Sequence, residues 1–303
     1  VRNRGFELSA NWSDKINKNL SYFVSGNFSY LKNWVSDIGV KNADGSSGVW
    51  TSEKTFRNLP YMIQSAEGKP VNSFYLIKTD GIFQSDEEAA NYKNAKGERI
   101  QPEAQAGDLK FVDVNGDGSI GSSDRVYLGS ALPQISGGIV SELKWKGFDL
   151  NFSWAYQLGR HMYNTLPGSS IIPNYNGLEH PVLMDVRNVT FWEQPGDNSD
   201  YAKLQADSRM QFFPNETSVI DRYVEKVNWL KLKTVTLGYD LPRSLIRNWK
   251  IEQLRLFVSG ENLLTFSNYS GIDPEIVDIR TGIDSGRNYP LARKFTIGLT
   301  LKF

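Results

Sequence analysis

Apolar and polar residues alternate along several stretches of this chain, most plainly in the last. Phe295, Ile297, Leu299, Leu301 and Phe303 share one side of a period-2 ribbon, and Thr296, Gly298, Thr300 and Lys302 share the other. The stretch 148–158 is as regular: Phe148, Leu150, Phe152, Trp154, Tyr156 and Leu158 oppose Asp149, Asn151, Ser153, Ala155 and Gln157. Residues 6–12, 20–34, 135–145 and 254–266 repeat the arrangement, although Phe257 interrupts the polar side of the last of these. One face apolar and edged with aromatics, the other polar, suits a strand between lipid and a wet lumen. One stretch changes phase. Leu230 and Leu232 have one parity, and Val235, Leu237 and Tyr239 have the other. A β-bulge near Thr234, or a strand whose upper part clears the membrane, produces such a switch.

The connections alternate in length. Short links follow Trp12, Trp145 and Leu241, and long ones span about 35–133, 159–227 and 267–291. Outer-membrane barrels join their strands by short periplasmic turns and long extracellular loops, which places these long segments outside and the chain end on the periplasmic side. The expected fold class is therefore all-β. Residues 1–303 would supply strands of a transmembrane antiparallel β-barrel with long extracellular loops. Single-chain bacterial barrels use even strand counts and seven strands are read here, so further strands are expected upstream of Val1. No signal peptide opens the chain, which is expected to be a piece of a longer polypeptide. The competing architecture is a secreted β-sandwich acting as a carbohydrate-binding module. Its strands are usually shorter, about 5–6 residues, and its apolar faces meet each other.

Composition narrows the function classes. Lys plus Arg and Asp plus Glu both number 34, so nothing attracts nucleic acid over long range. The absence of Cys excludes disulfides, thiolate ligands and Cys nucleophiles. Mean hydropathy is −0.43, and no run approaches the ~18 apolar residues of a spanning helix; a barrel strand needs only ~9–11. The two histidines, His161 and His180, lack the spacing of a metal site or a general base and read as loop side chains. No carboxylate pair is singled out as acid and base, so no catalytic residue is assigned and the chain reads as no enzyme.

The segment from Asp113 to Asp124 fits a twelve-residue calcium loop. Asp113, Asn115 and Asp117 stand at positions 1, 3 and 5, Gly118 at 6, Ile120 at 8 and Asp124 at 12. A hard cation takes six to eight oxygens, and the Ser119 carbonyl would add one to the side chains. Asp124 is shorter than the usual closing Glu. The expected ion is a structural calcium that screens the carboxylates and pins a long loop. The alternative is a polar Asn/Asp/Gly turn without an ion. The long loops also carry Trp50, Tyr61, Tyr163, Tyr175, Trp192 and Tyr201. Their rings would stack on sugar, contact a partner, or pack within the loops; Trp50, Tyr163 and Trp192 are the substrate-binding candidates. Glu142, Asp149, Asn151, Arg255 and Glu261 would line a solvated inner wall, and Asp273-Pro274-Glu275 reads as a turn.

Several blocks occur in a family order. Residues 75–83 read YLIKTDGIF and 106–111 read AGDLKF, leading into the metal loop; then come KGFDL at 146–150 and NWLKLKTVTLGYDLP at 228–242. SGENLLTF at 259–266, GIDPE at 271–275 and the terminal strand complete the series. Together these blocks, covering nearly the whole chain, resemble the SusC/RagA-type TonB-linked outer-membrane transporters of Bacteroidetes. The resemblance implies the carboxy-terminal portion of a 22-stranded barrel embedded in outer-membrane lipid. It also implies import of an oligosaccharide, peptide or similar nutrient, a SusD-like surface lipoprotein over the extracellular loops, and energy from TonB. The family's plug domain and TonB-contacting segment belong to its amino-terminal part and are not in this chain.

Overall fold

The computed structural model describes residues 1–39, 47–50, 62–165, 190–203, 220–286 and 288–303. In chain order the strands are β1 (Arg2–Asn17), β2 (Leu20–Trp34), β3 (Gly48–Trp50), β4 (Ile63–Ala66), β5 (Ser73–Ile77), β6 (Thr79–Ile82) and β7 (Leu109–Phe111). After them come β8 (Arg125–Ser130), β9 (Ile135–Trp145), β10 (Phe148–Asn164), β11 (Val224–Asp240), β12 (Gln253–Ser267), β13 (Ile283–Asp284) and β14 (Lys294–Lys302). The long strands form one antiparallel sheet in the order β1-β2-β9-β10-β11-β12-β14. Each is hydrogen-bonded to the next long strand in sequence, which is the meander of a barrel wall.

Register puts the apolar sides together. Leu150 lies opposite Leu143 and Leu237, Tyr22 opposite Leu143, and Leu256 opposite Leu299 and Tyr239. Directly opposed residues share a face, so this one outward face runs across the whole sheet. It stays uncovered: Leu8, Trp12, Ile139, Leu237, Ile297 and Leu299 are all exposed. A β-sandwich would bury such a face under a second sheet, so that alternative fails among the described residues. An uncovered apolar face on a long meander suits the lipid-facing side of a barrel wall.

The phase switch in β11 is a bulge. Pairing with β10 shifts between Ser153 and Trp154, pairing with β12 shifts between Leu232 and Thr234, and Asn262 opposite the shift has a left-handed φ of 53°. The extra residue, Lys233, lets Leu232 and Val235 share the outward face despite their opposite parity. A second shift, between Gln157 and Arg160, occurs at Gly159 (φ 76°) and explains why the reading stopped at Leu158. The strand continues six residues further, to Asn164. The second long connection is accordingly 165–223 rather than 159–227, and His161 is a strand residue rather than a loop one. His180 lies outside the described residues. At the other end, Lys146 (φ 47°) and Gly147 (φ 88°) close β9 and β10 by a two-residue turn.

The long connections build a cap on the end of the wall away from the tight turns. Four of its strands pair antiparallel in the order β3-β4-β5-β8, and β6 pairs with β7. A short helix, α1 (Asp86–Asn91), starts where the Ser85 hydroxyl accepts the Glu88 amide at 3.1 Å. Met62, Ile63, Phe74, Leu76, Ile77 and Ile220 form its dry centre, joined by Tyr163 from the top of β10 and Ile283 from β13.

Candidate functional site: inner wall and outer cap

The inner face of the wall is polar, as the alternation demands. Asp149 on β10 and Arg255 on β12 pair at 2.6 Å, although β11 runs between them. They reach each other because β11 offers Gly238 there: a Cβ at that position would stand 2.3 Å from Arg255 Nη2 and 2.5 Å from Asp149 Oδ1. Asn151 donates to the same carboxylate at 2.9 Å. Glu142 holds Lys144 at 2.8 Å, and Glu261 lies 3.4 Å from Lys294. All five expected inner-wall residues are thus engaged in polar contacts on one solvated side. Phe257, the apolar exception, lies over Gly298 of β14, with the Arg255 guanidinium 5.6 Å from its ring.

The segment after β12 folds back against this wall. Lys231 Nζ reaches Asp273 at 2.6 Å and Glu275 at 2.9 Å, and Lys233 Nζ reaches Glu275 at 2.6 Å. Lys231 and Asp273 are buried, their side chains 3% and 8% exposed. Pro274 between the two carboxylates fixes the turn that presents both to the wall. Arg160 donates to the carbonyls of Pro274 (3.5 Å) and Val277 (3.3 Å). Beside them Met162, Val227, Trp229, Tyr269 and Val277 form a second apolar cluster. Burial and a 2.6 Å hydrogen bond to Asp284 push the Tyr269 phenol far above its usual range. Sequence reading missed this clamp. Its signal was two lysines at alternate strand positions and two carboxylates two residues apart.

Of the loop aromatics, Tyr163 and Trp192 are buried at 3% and 4% exposure. Tyr163 packs against Phe74 and Tyr223, and the Trp192 indole donates to Gln84 at 3.2 Å. A sugar could stack on either ring only by displacing these neighbours. Trp50 is half-buried, edge-on to Tyr75 with Arg125 over its ring. Tyr201 pairs with Phe191, and Tyr61 and Tyr175 lie outside the described residues.

The 113–124 loop is curled by its own side chains. Asp113 accepts the amides of Gly116 (2.7 Å) and Gly118 (2.8 Å), Asn115 accepts that of Asp117 (2.9 Å), and Asp117 accepts that of Ser119 (2.9 Å). Gly118 has the left-handed φ of 89° that the sharp turn needs. Asp124 is fully buried and accepts from Val114 and Gly121. Hydrogen bonds from Ser119 and Asn115 hold the Asp117 carboxyl below its ordinary value. No trio of His, Cys, Asp or Glu among the described residues is gathered closely enough to form a metal cluster alone. An ion here would draw on the Asn115 and Ser119 oxygens as well, and these residue types and turns fit calcium.

No family model matches the chain. Over its full length it is 28% identical, across 313 residues, to TonB-dependent receptor P3 of Formosa agariphila, covering 29% of that receptor. It is 24% identical, across 310 residues, to TonB-dependent receptor SusC of Bacteroides thetaiotaomicron, covering 26% of it. Among solved structures, the RagAB peptide transporter superposes on 99% of this chain and 29% of its own, with a TM-score of 0.72 at 22% identity. The chain thus spans less than a third of the proteins it matches. It is similar throughout to the carboxy-terminal part of TonB-dependent receptors, as its resemblance to the SusC/RagA type anticipated. Its long strands are those of an outer-membrane β-barrel.

Proposed function

We propose that this chain is the carboxy-terminal wall and outer cap of a receptor that takes a nutrient across the outer membrane at the expense of TonB. The substrate class is an oligosaccharide or peptide, and a SusD-like lipoprotein covers the cap. TonB acts through the amino-terminal part that the chain does not include. One observation carries the reading: an antiparallel meander with an uncovered apolar outside, a charged inside and a packed cap at the long-loop end only. Such a wall conducts by what moves inside it. Within the cap, Trp50 is the described aromatic candidate with a partly open face. Calcium held by Asp113, Asn115, Asp117, the Ser119 carbonyl and Asp124 would neutralise the loop's carboxylates and fix the cap's rim.

The test uses cells carrying the full-length receptor and fluorescent oligosaccharide and peptide pools. Energised accumulation of one pool, abolished by deleting the receptor or collapsing the proton gradient, is the expected result. Accumulation indifferent to both manipulations overturns the proposal.

A further inference from the structure

We propose that the outward face of the wall, at its outer rim, binds the phosphorylated headgroup of an outer-leaflet lipid. On β2, Tyr30, Lys32 and Trp34 continue the parity of Tyr22, Val24 and Phe28, so Lys32 stands on the lipid-facing side. Directly opposite on β1 are Arg4 facing Lys32 and Arg2 facing Trp34. Opposed residues share a face, so three cations and a Trp crown one corner of the apolar band. At the other rim the same face ends in Trp12, Trp145, Phe148 and Tyr239, with Asp14 opposite Tyr22.

Height agrees with this placement. From Tyr22 to Lys32 is ten strand steps, roughly 34 Å of extended chain, and a tilt of about 40° reduces that to roughly 26 Å. The apolar band of such barrels is about 25 Å tall. With Tyr22 at the lower interface, Lys32 arrives at the upper one, where headgroups lie.

The cations edge a formed cleft. A cavity of about 420 Å³ is lined by Lys32 and Trp34 of β2, Lys69, Tyr127 of β8, Gln134 and His161 of β10. Lys69 Nζ sits 4.7 Å from the centre of the Tyr127 ring and Lys32 Nζ 6.0 Å from that of Trp34, so each ammonium lies over an aromatic ring. Among the described residues no carboxylate is within ion-pairing distance of Arg4, Lys32 or Lys69. The neighbouring Glu67 is turned to the Ile38 amide at 3.1 Å. The Lys32 and Lys69 ammonium groups, with the Gln134 side-chain amide beside them, give this cleft cationic donors for a phosphate monoester. The aromatic rings would flank its sugar or glycerol. The inference rests on the outer-membrane placement of the wall and is independent of what the receptor imports.

The experiment is native mass spectrometry of the full-length receptor in detergent, with lipid A bearing its phosphates, enzymatically dephosphorylated lipid A, or inorganic phosphate alone. Wild-type receptor is expected to retain the phosphorylated lipid at least about tenfold better than the dephosphorylated one, because only the former offers an anion to the basic groups at the rim. Lys32→Glu with Lys69→Glu is expected to remove that preference while heat-modifiable gel migration stays normal; Lys32→Gln with Lys69→Gln serves if the reversal fails to fold. Equal retention of both lipids by wild type, or an undiminished preference in both double variants, overturns the proposal. Displacement by millimolar inorganic phosphate would mean a free-anion site and would also overturn it.

Discussion

The wall and the cap keep their apolar side chains in opposite ways. In the wall, Ile139, Leu237 and Leu299 remain open on one face, and lateral backbone pairing supplies the order. In the cap, Met62, Phe74, Leu76 and Ile77 are sealed at 0% exposure, and short strands are held together by what they bury. A wall residue therefore answers to lipid, which flows into any space left. A cap residue answers to its neighbours, which do not. The segment 268–291 belongs to neither regime. Buried ion pairs anchor its Asp273 and Glu275 on the inner wall, beside the apolar contacts of Tyr269 and Val277 and the two-residue pairing of β13 with β10.

That third regime should yield most to a single substitution. Lys231→Ala leaves Asp273 buried without its cation, and breaking a buried pair from one side costs about 3–5 kcal/mol. Hydrogen exchange on the full-length protein should show 268–291 released while β9 to β12 stay protected; an unchanged segment would remove the clamp from the account. Acid should do the same more gently. Burial raises the Glu275 carboxyl, but hydrogen bonds and charge from Lys233 and Lys231 bring it below its ordinary 4.5. A depressed folded pKa gives stability that is complete above the unfolded value and lost as pH falls through the folded one. Release of 268–291 should therefore begin below about pH 4.5, and Glu275→Gln should abolish that pH dependence.

Leu76→Ala in the cap against Leu299→Ala in the wall sharpens the main contrast. The first leaves a cavity in a sealed core and should cost about 2–5 kcal/mol. The second exchanges one lipid-facing residue for a smaller one without a cavity and should cost under about 1 kcal/mol. Cap opening is read by limited proteolysis between 62 and 134, and the wall by its heat-modifiable gel shift. Equal effects would mean that wall and cap share one core after all.

The same difference in environment decided what could be read from the residues. A wall between lipid and water imposes period 2, so the positions of its seven long strands were visible. The β11 phase switch left a bulge near Thr234 as one of two readings, which the register then settles at Lys233. Strand ends were less visible, because above Gly159 the side chains of Arg160 and Met162 face cap and clamp rather than lipid or lumen. The cap imposes no period. Phe74, Leu76 and Ile77 are buried from every side, so β5 carries no alternation to detect. The Lys231–Asp273 contact joins residues 42 apart in sequence and leaves no local mark. Two family blocks, LKLK and GIDPE, contained the clamp's members, and only the fold shows them touching.

The smallest effect expected is at the rim of the cap, in the 113–124 loop. Its turns carry side-chain acceptors bonded to backbone amides through Asp113, Asn115 and Asp117, and these close the curl locally. What an ion would add is compensation for carboxylates held near one another, together with linkage. A calcium present at a hundred times its dissociation constant stabilises the bound form by about 2.7 kcal/mol. That is enough to suppress local opening of one loop and too little to decide the fold of the barrel. Chelation should therefore speed protease cleavage within 35–134, most near Gly116 and Gly118, and leave 268–291 and the wall as they were. Asp113→Asn should reproduce the chelated rate and become insensitive to calcium. Identical cleavage with and without chelator would assign the loop's order to its Asx turns alone, making it a polar turn continuous with the cap it borders.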